Sequence, residues 1–341
     1  MRRPKRASLV GMPSVRTIPF RGDEPVLAAL ERRECFQEIL RRYRSRADLD
    51  ARLRVEYRGV VRGLLAAGTG AYALNLDSGD AILARFLRRA KVRSLRFVAR
   101  RPSRWQLFPR DMFLLADRAD MLLVHAGLFR LARSSARGYA VVHSRWAEGG
   151  RVLLSGDRLI VGHYPGSRAS RSGALAELAR RGMRIASIPL PIIADLERGA
   201  GRTRVLRYDT HVDRSASLVR DRAGRYRLLL DPGYRTGPLD APSSVAASAD
   251  AVRRACEGID VSVHQLAHVA GPYGVATVQL GSGHVLVSAA EQALRAELAA
   301  LVGGHKVVPI RPSLEAYPVF AAAGLHCLVT ELPTPLVGSA P

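Results

Sequence analysis

Residues 151–162 read RVLLSGDRLIVG. Two apolar runs flank a Ser-Gly-Asp turn, which is the pattern of a β-hairpin. Residues 172–183, SGALAELARRGM, follow as a helix. Ser172 can cap its start, Leu175 and Leu178 share a face, and Gly182 stops it. IASIPL, residues 185–190, then predicts a strand. The order is hairpin, helix, strand.

That order recurs outward from this stretch. Residues 215–230, SASLVRDRAGRYRLLL, predict a hairpin turning near Ala223 and Gly224. ADAVRRACEG (249–258) predicts a helix with Val252, Ala255 and Ile259 in register, and VSVHQL (261–266) a strand. Residues 274–288, GVATVQLGSGHVLVS, turn at Gly281-Ser282-Gly283. Ser288 and Glu291 then read as a capping box. Leu294, Leu298 and Leu301 follow at helical spacing, Gly303-Gly304 ends the helix, and VVPI is the strand. A weaker copy lies upstream: FLLADRADMLLV (113–124), a short helix over 128–135, then YAVV. A last copy spans the termini, with a helix over 55–66 and the strand CLVTEL (327–332). Units of one kind at spacings of roughly 60 residues predict a radial or stacked repeat. The reading is α/β: five ββαβ units closing into a five-bladed α/β-propeller with a central site. A doubly wound sheet is the alternative, but its strands do not come as hairpins.

Residues 1–50 read as a basic extension with one amphipathic helix over 25–43, and 51–341 as a single catalytic domain. The start, MRRPKRASLVGMPSVR, lacks the apolar core of a secretory signal and reads as a frayed basic tail. Within residues 75–102, ILARFLRRA predicts a helix and SLRFVARR a strand.

Composition narrows the function. The chain has 341 residues, is 48% hydrophobic and carries a formal charge of +23. It is long enough for an ample core and too apolar for a disordered chain. Lysine occurs only at Lys5, Lys91 and Lys306, so nearly all the positive charge is arginine. No basic stripe interleaved with aromatics is present, and specific nucleic-acid binding is not expected. The longest uncharged stretch, 261–290, is broken by His, Gln, Pro and Gly, so no membrane span is expected either. Three cysteines without a CxxC pair fit a reducing cytoplasm and neither a disulfide nor a zinc framework. His264 and His268 sit four apart on a predicted strand, where that spacing does not converge on a metal. No cofactor and no metal are expected; a homo-oligomer is left open.

The polar residues align with the repeats. Asp111 precedes the first hairpin in FPRD, Glu148 the second in EGG, and His211 and Asp213 the third in HVD. Cys327 opens the last strand. If the units share one arrangement about an axis, these positions meet in one channel. A thiol is a nucleophile once ionised, an imidazole moves protons near neutral pH, and carboxylates suit a cation. A guanidinium presents its N–H groups as forks that match carboxylates.

FPRD, EGG, HVD and the closing GLHCLVTEL resemble the motifs of the pentein superfamily of guanidine-modifying enzymes, across residues 55–335. This superfamily includes arginine and agmatine deiminases, dimethylarginine dimethylaminohydrolases and amidinotransferases. The resemblance implies that Cys327 is the nucleophile and forms a covalent amidino-type adduct. His211 would protonate the leaving amine and then activate water or an incoming amine. Glu148 would bind the guanidinium and assist proton transfer, and Asp111 and Asp213 would hold its nitrogens. Arg168, in GSRAS, would meet a substrate carboxylate. Two positions depart from the family: Arg151 stands where an acidic or amide residue follows Glu-Gly-Gly, and Ser167 stands where a Glu precedes the later Arg. The expected activity is hydrolysis of the guanidino group of arginine or a derivative. An amidinotransferase and a catalytically inactive binding protein are the alternatives.

Overall fold

A computed structural model of the chain describes residues 16–17, 71–73, 98–99, 113–125, 129–130, 140–144, 149–164, 173–197, 203–209, 211–269, 275–289, 291–310, 325 and 330–332. Three short strands come first: β1 (Arg16–Thr17), β2 (Ala71–Ala73) and β3 (Val98–Ala99). The first unit starts with β4 (Phe113–Ala116) and β5 (Met121–His125). After it β6 (Phe129–Arg130) leaves to pair with β3, and β7 (Ala140–Ser144) completes the sheet. The second unit is β8 (Val152–Ser155), β9 (Arg158–His163), α1 (Gly173–Arg180) and β10 (Arg184–Pro189). A hairpin of β11 (Ile192–Glu197) and β12 (Thr203–Tyr208) separates it from the third unit. That unit is β13 (Ala216–Arg220), β14 (Tyr226–Leu230), α2 (Val245–Glu257) and β15 (Val261–Gln265). The fourth is β16 (Val278–Gln279), β17 (Val285–Ser288), α3 (Gln292–Val302) and β18 (Val307–Ile310). The strand β19 (Thr330–Leu332) pairs antiparallel with β2, so segments from opposite ends of the sequence share a sheet.

All four units have one topology. The first two strands are antiparallel, and the third lies parallel to the second. A parallel neighbour needs a crossover, and in units two to four that crossover is the helix. The chain is therefore an α/β protein with mixed three-stranded sheets.

The central strands β9, β14 and β17 read as apolar runs because both of their faces are buried. On β9, Leu159 and Val161 pack with Ala116, Met121 and Leu123 of the first unit. Ile160, pointing the other way, joins Leu153 against Leu218 and Leu228 of the third. The third unit repeats the division, with Val219 and Leu229 packed on Val285 and Val287 of the fourth. Each helix fills the gap between its own sheet and the preceding one. Leu175 and Leu178 of α1 join the first such core, Val252 and Cys256 of α2 the second, and Leu294 and Leu298 of α3 the third. The first strands β8, β13 and β16 lie side by side. Gln279 ties two of them together, its Nε2 donating to the Arg220 carbonyl at 2.7 Å. The hairpin turns share one end of the stack: the Tyr226 hydroxyl donates to Asp157 Oδ1 across two turns at 3.0 Å. The segments that enter units two, three and four lie at the other end.

The expected hairpins, the three later helices and the closing strands of units one to four are present. Four readings need correction or extension. Phe129 and Arg130, placed in a helix, are a strand, because β3 supplies a pairing partner that the local pattern does not reveal. The helix expected at 249 starts four residues earlier, at Val245, where the Ser244 hydroxyl caps it by accepting the Ala247 N–H at 3.1 Å. Ser288 is no cap residue: it ends β17, and Glu291 caps α3 without a side-chain bond. Arg16 and Thr17, read as part of a frayed tail, pair with Leu206 and Val205 of β12. The helices expected over 25–43, 55–66 and 82–90, and the cap at Ser172, lie outside the described residues. Among the described residues no helix is long and apolar enough to cross a membrane.

Candidate active site

The second and third units meet at their entrances. A 3-10 turn, Gly149–Arg151, leads into β8, and another, Val212–Arg214, leads into β13. His211 stands before the second turn with extended backbone (φ −120°, ψ 112°), and its side chain is 7% exposed. Its imidazole lies on Gly150. A Cβ built at Gly150 would fall 2.3 Å from His211 Cγ and 2.4 Å from Nδ1, so only glycine leaves room for the ring. Gly162 makes the same allowance one layer down, where a Cβ would meet Leu190 at 2.5 Å and Val212 at 3.3 Å. The Glu-Gly-Gly and His-Val-Asp motifs, 61 positions apart from Gly150 to His211, are thus in van der Waals contact.

Buried carboxylates stand two positions after and two positions before His211. Asp213, 2% exposed, places Oδ1 at 4.0 Å from His211 Nδ1. A carboxylate at that range offers a counter-charge whenever the ring takes a proton. Asp209, 1% exposed, reaches the backbone instead. Its Oδ1 accepts the His211 N–H at 3.1 Å and the Arg214 Nη1 at 3.2 Å. Its own N–H donates to the Pro191 carbonyl at 2.7 Å. Downstream, the Asp231 N–H donates to the Ser215 carbonyl at 2.8 Å, tying the end of β14 to the turn. The hairpin of β11 and β12 therefore delivers Asp209 and His211 to the mouth of the third unit.

Arg151 does not face solvent as an isolated charge. Its guanidinium carbon lies 5.0 Å over the Tyr164 ring, and Tyr164 meets Tyr208 edge to face at 5.9 Å. Two tyrosine hydroxyls anchor on carbonyls here, Tyr208 on Gly237 at 2.9 Å and Tyr234 on Pro189. Burial pushes the Tyr234 phenol far above its ordinary value, so it remains a donor.

Of the six residues expected to form the site, the structure brings His211 and Asp213 together. Asp111, Glu148, Arg168 and Cys327 lie outside the described residues, as does Cys35. The one described cysteine is Cys256, buried in the core between units two and three, and burial pushes its thiol up to about 12. Such a thiol is inert at neutral pH. His264 pairs with Glu297 at 2.8 Å across to α3. Sequence reasoning missed two contributors. Gly150 enters the sequence reading only as part of a motif, although two adjacent glycines before a strand mark a close backbone approach. Asp209 has no place in that reading, although Asp-Thr-His is the spacing of an Asx turn, side chain to the N–H two residues on.

No protein-family model and no curated protein matches the chain. Solved structures do. The chain is similar to dimethylarginine dimethylaminohydrolase from Pseudomonas aeruginosa in complex with citrulline, at 14% identity and a TM-score of 0.42 over 73% of this chain and 85% of that one. It is similar to SxtG, an amidinotransferase of saxitoxin biosynthesis from Microseira wollei, at 12% identity and 0.41 over 73% and 80%. It is also similar to a putative arginine deiminase from Porphyromonas gingivalis, at 14% identity and 0.42 over 77% and 95%. These three solved structures are of pentein-superfamily enzymes.

Proposed function

We propose that the chain is a cysteine-dependent guanidine-modifying enzyme, a hydrolase of the guanidino group of arginine or an arginine derivative. One observation carries the reading: the entrances of two successive units converge so that the His211 ring lies on Gly150 beside the buried Asp213 carboxylate. This is the convergence a central site requires. In the proposed architecture the four units and the pair of β2 with β19 are the five blades of a propeller, with β8, β13 and β16 nearest its axis.

The proposed reaction starts with a cationic guanidinium held by Asp111, Asp213 and Glu148, with Arg168 on a substrate carboxylate. The Cys327 thiolate attacks the guanidino carbon. The C–N bond to the leaving amine breaks as His211 passes it a proton. His211, now neutral, takes a proton from water as the oxygen bonds to the same carbon. The C–S bond then breaks, releasing a ureido product and the thiolate. An amine in place of water would return a new guanidine, the transferase outcome.

The test is incubation with arginine, methylated arginines, agmatine and other guanidines, with and without glycine, ornithine or lysine, read by product mass. A ureido product formed without amine and absent from Cys327→Ala supports the hydrolase. A guanidino product formed only with amine replaces it by an amidinotransferase. No product in any arm overturns the enzyme reading in favour of an inactive binding protein.

A further inference from the structure

We infer that Asp209 is the positioning residue for His211: its carboxylate holds the backbone that seats the imidazole on Gly150. The inference rests on the proposed role of His211 but not on the identity of the substrate.

The argument is geometric. One oxygen, Asp209 Oδ1, serves both ends of the turn. It accepts the N–H of His211, the residue entering the turn, and the guanidinium of Arg214, the residue leaving it. The carboxylate is itself anchored from behind by its backbone N–H on Pro191, at the root of β11. It is 1% exposed and Arg214 occupies its charge, so it is placed to shape the site rather than to receive a substrate. The seat it serves is tight. With 2.3 Å between the position of a Gly150 Cβ and His211 Cγ, the ring has no space to slide toward the second unit. Movement away from Gly150 is opposed by the backbone of the turn. Asp209 is what holds that backbone from the side chain. An acceptor at this position, rather than its charge, does the work, because the N–H of His211 needs only an oxygen.

Two variants separate acceptor from charge. Asp209→Asn keeps an oxygen for the His211 N–H. Asp209→Ala removes it. The first readout needs no ligand: hydrogen exchange of the His211 amide and the imidazole resonances in the 15N-histidine-labelled full chain, with His264 as the remote reference. Asp209→Asn is expected to hold His211 near wild type. Asp209→Ala is expected to speed exchange of its amide about tenfold or more, as loss of a hydrogen bond to a charged group predicts, and to move the ring resonances. His264 stays unchanged in both. The second readout is steady-state kinetics with the guanidine that the wild-type chain turns over. Asp209→Ala is expected to lower kcat about 100-fold at nearly constant KM, the scale of an ångström misplacement, and Asp209→Asn to stay within about threefold.

Wild-type exchange and resonances in Asp209→Ala overturn the inference, and so does an Asn variant as damaged as the Ala variant. If Asp209→Ala does not fold, the Asn variant decides alone: a displaced His211 signal in it overturns the inference, a wild-type signal upholds it. If the wild-type chain turns over no guanidine, the proposed reaction fails while the resonance measurement still decides the role of Asp209.

Discussion

Replacing Gly150 by alanine puts the central contact of the site on trial. Gly150 is not among the described glycines at positive φ, so its backbone accepts an alanine. On conformational grounds alone that change would stabilise the fold by about 0.4–1 kcal/mol. The His211 ring reverses the sign. To bring Cγ from 2.3 Å to an ordinary 3.4 Å contact, the new methyl and the ring must part by 1.1 Å. Cγ is the ring atom nearest the backbone and the side chain is buried, so no free rotation supplies that distance. Overpacking of this kind costs about 1–3 kcal/mol. If the ring yields instead of the backbone, an ångström of displacement lowers kcat about 100-fold. The assay is a cycle: unfolding by urea of the wild type, Gly150→Ala, His211→Ala and the double variant. Gly150→Ala is expected to destabilise the wild type and to be neutral or slightly stabilising in the His211→Ala background. An equal cost in both backgrounds refutes the reasoning, because the methyl would then be meeting something other than the ring.

Leu298 of α3 is fully buried between units three and four, and Leu298→Ala is expected to cost about 2–5 kcal/mol in urea unfolding; a loss below 1 kcal/mol would mean the helix does not wedge those sheets apart. Asp221 closes the turn of β13 and β14. Burial raises its carboxyl, but bonds from the Arg225 backbone and side chain and from Arg227 outweigh that and leave it below its ordinary value. Its contribution is therefore complete above about pH 4, the unfolded value, and fades as pH falls through the lower folded one. Asp221→Asn is expected to cost about 1–3 kcal/mol at pH 7 and much less at pH 2.5; an undiminished difference at pH 2.5 would exclude the carboxylate as its source.

The repeat could be read from the sequence because its signals are local. Apolar runs split by Gly-containing turns, followed by a 3.6-residue pattern, need no distant partner to declare themselves. The strand at Phe129 and Arg130 escaped because its partner, β3, lies elsewhere in the chain; the β11–β12 hairpin escaped because Asp195, Glu197, Arg204 and Arg207 interrupt its apolar runs. The start of α2 escaped because Ala246 to Ser248 adds no large apolar residue to the periodic pattern that begins further on, and its capping hydroxyl, Ser244, sits beside a second serine, Ser243. At the site, residue type and position before each hairpin pointed to His211 and Asp213. They did not point to Gly150 or Asp209. Those two act by leaving space and by holding backbone, and neither role has a side-chain signature of chemistry.

The pairing of β2 with β19 has a consequence for how the chain is made. Residues Ala73 and Thr330 are joined in register across 257 positions, whereas each unit closes its own sheet within a few dozen. During synthesis the four units can assemble in order as they emerge, each helix docking on a sheet already present. The strand that β2 awaits follows all four units off the ribosome. Cys327 is three residues from it. A nascent chain that has completed its four units therefore still lacks the strand that β2 awaits and the proposed nucleophile beside it, and the proposed chemistry waits on both.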